Sequence, residues 1–220
     1  MSPSKSDRQV ARGLRDVIVA SPRFVAAPFV RSRHLRWGAT DAEVAGEMPG
    51  DELVAHSSFS ATRAITIDAP SSAVWPWIAQ LGFGRAGFYS YDLFDNAARP
   101  SATTILPEFQ DPQVGDWVPM ASKVNETTAF RIAGLVPGEW MLWVKPNSTW
   151  SWKLLALDGG RRTRLITRLK QYNDWSASAP IAIVTVILFE VGDFPMMRRL
   201  LLGVKARAEA LAHGPQGAGP

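Results

Sequence analysis

The chain has 220 residues, 24 Lys and Arg against 20 Asp and Glu, and no cysteine. That length can bury a full core without covalent staples, and 46% apolar with 20% charged residues marks a globular chain. Zero cysteines exclude disulfides, thiolate catalysis, zinc ribbons and iron–sulfur clusters.

The net charge of +4 is unevenly spread. Residues 1–36 form a basic arm with eight basic and two acidic side chains. In it Val10, Leu14, Val17 and Ile18 fall at i, i+4, i+7 and i+8, which predicts an amphipathic helix over Arg8–Ala20. Such a helix packs on the domain or lies on an anionic lipid surface. The apolar stretch from Val17 is broken by Pro22, Arg23 and Pro28 and does not read as a signal peptide. Residues 37–55 carry five acids and no base. With the turn pair Pro49-Gly50, residues 37–60 read as an acidic linker or wrapping segment, able to offset the arm's charge.

A domain over residues 61–213 follows. Thr62–Asp68 alternates as a strand, with Arg63, Ile65 and Ile67 on one side. Pro70-Ser71-Ser72 starts a helix that runs to Leu81, bends at Pro76 and stops at Gly82. A second short helix is expected within Gly87–Arg99. Short strands are expected at Thr103–Leu106 and Val114–Met120, then longer ones at Phe130–Val136, Glu139–Lys145, Thr149–Leu157 and Arg162–Tyr172. Asp158-Gly159-Gly160-Arg161 is a strong hairpin signal between the last two. In the final strand Arg162, Arg164, Arg168 and Lys170 share one face with Ile166, which reads as a wet sheet surface. Ala179–Phe189 is too short for a membrane span. Met197, Leu201, Val204, Ala208 and Leu211 then form one stripe of a long helix, capped at Asp193. Residues 214–220 read as a disordered tail. The fold class is α+β: a curved antiparallel sheet of about seven strands with a long C-terminal helix.

That order resembles the START-like, or SRPBCC, superfamily and its helix-grip fold, more narrowly a bacterial polyketide-cyclase and lipid-transport-like branch. The matching stretches are Arg63–Pro70 with Val74-Trp75-Pro76-Trp77, then Gly84, Arg85, Gly87, Tyr89, Tyr91 and Asp92. Ile105–Phe109 with Gly115 and Asp116, Thr163-Arg164-Leu165, and Asp193 through Gly203 also match. The resemblance covers roughly residues 35–212. It implies a sheet gripping the C-terminal helix, with a cavity between them for a hydrophobic small molecule, lipid-like or polyketide-like. The fold hosts transporters, cyclases, receptors and stress proteins.

Several residue sets carry chemistry. Gly82, Gly84 and Gly87 match G-x-G-x-x-G with Glu108 further on, but a helix precedes them, so they read as turn glycines. On a helix Tyr91, Asp95 and Arg99 would share a face, with Asp92 and Asn96 beside them. Tyr91, Asp92, Asp95 and Arg99 are therefore the acid–base candidates of a cyclase or dehydratase. The candidate ligand contacts are Tyr89, Tyr91, Glu108, Trp117, Trp140, Trp150 and Trp152. His34, His56 and His213 lack ligand spacing, so no metal is expected, nor any other cofactor. No nucleic acid partner is expected, since the arginine-rich strand alternates with a buried face. The first expectation is a cytoplasmic, non-catalytic binder of a hydrophobe. An enzyme of the cyclase or dehydratase kind is the alternative, and a peripheral membrane contact through residues 8–30 the third.

Overall fold

The computed structural model describes residues 11, 31–172 and 192–214. All but Ala11 of the expected arm helix lies outside these residues, as do the apolar segment up to Val191 and the tail after Gly214. Six strands form one antiparallel sheet: β1 Phe59–Ile67, β2 Trp117–Pro119, β3 Ala129–Val136, β4 Trp140–Lys145, β5 Ser148–Leu157 and β6 Arg162–Gln171. Their spatial order is β1-β6-β5-β4-β3-β2. Strands β2 to β6 are a meander, and β1 pairs with β6, Phe59 opposite Gln171 and Ile67 opposite Thr163. The β5–β6 turn is the expected one, with Gly159 at φ 68°, a conformation that glycine adopts without steric cost.

The sheet has six strands and not seven, because Thr103–Leu106 is a loop. Its backbone groups are taken by a side chain. Gln80, fully buried, donates from Nε2 to the Thr104 carbonyl at 3.2 Å, and its Oε1 accepts from the Leu106 N–H at 2.9 Å. A backbone satisfied in this way has no need of a strand partner.

Among the described residues these α-helices accompany the sheet: α1 Arg31–Leu35, α2 Asp41–Ala45, α3 Ser71–Ala79, α4 Asp92–Asp95 and α5 Asp193–His213. Helix α5 packs with α3 over the inner face. Met197, Leu200, Leu201, Val204 and Ala208 are its buried stripe. They join Val74, Ile78, Trp143, Trp152 and Leu165 in one core, each large side chain contributing roughly 1.5–3 kcal/mol by its burial. This helix-grip arrangement follows from period-two burial on the strands and a 3.6-residue stripe on the helix. Gly203 lets α5 pass close to the backbone at Tyr89. A Cβ there would stand 2.6 Å from the Tyr89 carbonyl oxygen.

The outer face of β1 and β6 is covered. Residues 36–55 run across it, with Met48 packed between Ala64 and Ile166. Thr40 and Glu43 form a capping box that starts α2. Glu43 then grips Arg164 through both carboxylate oxygens, at 2.7 and 2.8 Å. Arg168 is 6% exposed. Its guanidinium donates to Thr62 Oγ1, the Glu43, Val44 and Gly46 carbonyls and Asp51 Oδ2. Lys170 donates to the Asp51 carbonyl at 2.8 Å. The wet face expected for β6 is therefore a buried one. Of the basic residues in that row only Arg162 is exposed, paired with Asp158 at the turn. Glu43 and Asp51 thus balance charges of β6, while Asp41 pairs with Arg36. The Trp37 carbonyl accepts from the Ala64 N–H at 3.1 Å, so part of the β1 edge is capped against pairing with another strand.

Candidate functional site

A cavity of about 420 Å³ lies between the inner face of the sheet and the first turns of α5. Phe88, Met120, Phe130, Trp150, Leu169, Met196, Met197 and Leu200 form its apolar wall. Trp150 anchors that wall. Phe88 stacks on it with ring centres 6.3 Å apart, Phe130 meets it edge-on at 6.0 Å, and Trp143 and Trp152 flank it at 5.2 and 5.0 Å. The Trp150 indole N–H donates to Thr167 Oγ1 at 2.9 Å. Its polar group is thus spent inside the sheet, and the ring adds apolar surface to the cavity.

Four polar side chains reach the cavity: Ser90, Asp95, Lys145 and Asp193. Asp193 receives Arg63 Nη2 at 2.5 Å, an ion pair with side chains 7% and 2% exposed. Arg63 Nε also donates to the His34 carbonyl at 2.8 Å, and Phe194 stacks on His34 with ring centres 3.7 Å apart. The start of α5 is thereby fixed to β1 and to the segment before it. The Ser90 hydroxyl donates to the Met196 carbonyl at 3.0 Å.

Asp95 ends the short helix α4 and is buried. Among the described residues neither of its carboxylate oxygens has a hydrogen-bond partner. Burial pushes its pKa up to about 7, and the nearby Asp92 charge adds to the rise. Ser90 lies near enough to ease the charge slightly, but its hydroxyl is committed to Met196. Asp95 is therefore protonated, and able to donate a hydrogen bond, up to about neutrality, and above it is a buried anion that the Arg199 charge eases only in part. The folded form holds its proton to higher pH than the ordinary value of 3.8. Its contribution to stability is full below pH 3.8, falls as pH rises, and is lost above about 7. Asp95→Asn should flatten this fall, so denaturant midpoints measured from pH 4 to pH 8 should decline less in the variant.

Lys145 comes from the last position of β4. Strand parity puts it on the same face as Met141 and Trp143, both fully buried. Its Nζ lies 5.0 Å from the Phe130 ring centre. Burial lowers its pKa. Among the described residues the ammonium has no hydrogen-bond or ion-pair partner.

Of the residues expected from sequence, Asp95 and Trp150 line this cavity. The others stand elsewhere. Helix α4 ends at Asp95, and Ala97 and Ala98 take φ of 51° and 61°. The i, i+4, i+8 spacing is broken there, and Arg99 is exposed. Tyr91 is buried beneath the Arg199 guanidinium, 4.4 Å from its ring centre. Asp92 accepts from Ser101 Oγ at 2.5 Å and braces the loop. The Tyr89 hydroxyl donates to the Trp77 carbonyl at 3.1 Å and accepts from Gln80 at 2.9 Å. Burial raises its pKa above the ordinary value, so Tyr89 is a structural brace. Glu108 is exposed on the turn Pro107–Phe109. Trp117 lies under Arg131 at 3.7 Å, Trp140 packs on Gly134, and Trp152 is buried in the core.

Sequence reasoning missed Lys145, Ser90, Phe88, Phe130 and the two methionines of α5. The alternation of β4 held the signal for Lys145. It was hidden because the other face, Trp140, Leu142 and Val144, is as apolar as the inner one. The glycines Gly82 to Gly87 are a turn as expected, closed by reciprocal backbone bonds of 3.2 and 3.1 Å. Among the described residues no group of three or more acids, histidines or cysteines stands together for a metal. Among them, too, no helix is long and apolar enough to cross a membrane.

No family model and no curated protein matches the chain. Solved structures of polyketide-cyclase-like and related proteins do. The polyketide-cyclase-like protein of Corynebacterium glutamicum is 14% identical, with a TM-score of 0.45 over 72% of this chain and 96% of its own. A protein of Thermobifida fusca is 12% identical, with a TM-score of 0.43 over 69% of this chain and 94% of its own. The Aha1 dimer of Colwellia psychrerythraea is 14% identical, with a TM-score of 0.35 over 71% and 98%.

Proposed function

We propose that this protein binds a hydrophobic small molecule, lipid-like or polyketide-like, in the cavity between the sheet and α5. The observation that carries the reading is the cavity itself: about 420 Å³, walled by aromatic, Leu and Met side chains with four polar groups. That volume falls in the range of small-molecule sites, roughly 300–1,000 Å³. Methionines such as Met120, Met196 and Met197 suit a wall that adapts to an apolar guest. The test is solvent extraction of the purified protein followed by mass spectrometry, with Met197→Trp as a variant that fills the cavity. A hydrophobe recovered from the wild type and lost from the folded variant is the expected result. Equal recovery from both, or none from either together with no uptake of apolar dyes, overturns it.

Asp95 favours a second reading, proton transfer to the bound molecule. A carboxyl that titrates near neutrality beside a substrate is suited to that work. Returning the extracted molecule to stripped protein separates the two. A change of mass or isomer with the wild type, absent with Asp95→Asn, marks an enzyme. Unchanged recovery marks a carrier.

A further inference from the structure

One charged group of the cavity, Lys145, has no ion-pair partner among the described residues. Asp193 is neutralised by Arg63 at 2.5 Å. Asp95 holds its proton to near neutral pH because it is buried. Lys145 is left with an aromatic ring at 5.0 Å and no counter-charge among the described residues. An isolated ammonium in an apolar cavity is costly unless something pairs with it. Among the described residues no carboxylate pairs with it, and its stem lies in a strand beside Trp143, fixed by pairing of Lys145 with Ser148. The side chain thus leaves a fixed point of the backbone at the cavity wall.

We propose that Lys145 is the polar anchor of the cavity and that the guest is an amphiphile bearing a carboxylate, its apolar body lying on Trp150, Phe130 and Leu200. This inference rests on the binding reading above. A carboxylate placed on the Lys145 ammonium forms a charge-assisted hydrogen bond in surroundings of low dielectric. The aromatic and aliphatic wall supplies the remaining affinity without selecting a chain length. Neutral hydrophobes gain the second contribution and not the first. Cationic ones meet a like charge.

The carboxylate can belong to an acyl chain or to an aromatic acid, and paired probes tell these apart. Dodecanoate is compared with 1-dodecanol, and 2-naphthoate with 2-naphthalenemethanol, by quenching of tryptophan fluorescence in wild type, Lys145→Met and Lys145→Arg. The expected result is at least tenfold tighter binding of one or both acids than of the matched alcohol in the wild type. That preference should shrink to threefold or less in Lys145→Met, with alcohol binding kept, and persist in Lys145→Arg. Retained alcohol binding also shows that the variant is folded. Acid and alcohol bound equally by the wild type, or a preference unchanged in Lys145→Met, overturns the anchor and leaves the cavity reading standing. No binding of any probe overturns the cavity reading and the anchor with it.

Discussion

Arg63→Met is expected to lower stability by about 3–5 kcal/mol, because it leaves Asp193 as an uncompensated buried charge. In a domain of this size that is a fall of roughly 6–20 °C in the melting midpoint. The pair is well buried, at 2% and 7% side-chain exposure. Burying both charges costs solvation that their attraction returns only while both are present. Asp193→Leu added to Arg63→Met should therefore recover most of the loss, since both desolvation costs vanish together. Denaturant unfolding of the four proteins in the cycle measures the coupling. A double variant as unstable as Arg63→Met alone would place the damage in the other bond of Arg63, to the His34 carbonyl at 2.8 Å.

The second large effect is expected at Arg168→Lys. All five guanidinium donors are engaged, four of the bonds reaching the covering segment at Glu43, Val44, Gly46 and Asp51. A lysine keeps the charge toward Asp51 but has three donors and a different shape. Hydrogen bonds to charged groups contribute about 1.5–3 kcal/mol each, and loss of two carbonyl contacts should cost about 2–4 kcal/mol overall, since such losses are not additive. Hydrogen exchange is the discriminating measurement. Amides of residues 40–51 should lose protection before those of β5. Wild-type protection there would mean that Met48 packing holds the segment instead. Acid should loosen the same contact. Its bond to Arg164 holds the Glu43 carboxyl at about 2, below the ordinary 4.5. That contribution is present above pH 4.5 and is lost as pH falls toward 2.

The fold was readable where a pattern had one meaning. Gly159 and Gly160 between two alternating runs can only turn back, and Met197, Leu201, Val204 and Ala208 can only line one side of a helix. The pattern failed where two meanings compete. Thr103–Leu106 looks like a strand, yet the buried Gln80 outbids a neighbouring strand for its backbone. Arg164, Arg168 and Lys170 look solvated by composition. They are covered because the acids that neutralise them lie about 120 residues away in sequence, beyond the reach of any window used to detect periodicity. The candidate site was read less well for the same reason. Helical spacing joined Tyr91, Asp95 and Arg99, and positive φ at Ala97 and Ala98 parted them. Lys145 reads as the polar end of an apolar strand until Phe130 and Trp150 are set beside it.

The pairing of β1 has a consequence for how the chain is made. Ile67 waits for Thr163 and Phe59 for Gln171. At translation rates of about 5–20 residues per second, β1 spends roughly 5–20 s outside the ribosome before its partner strand emerges. Apart from Arg63 its inner row, Phe59, Ala61, Ile65 and Ile67, is apolar, and through that interval its backbone is free to pair with another nascent chain. Residues 36–55 emerge earlier and already hold the group that caps β1 at Ala64, the Trp37 carbonyl. The covering segment thus precedes in synthesis the strand it protects, in the order a built-in chaperone would require.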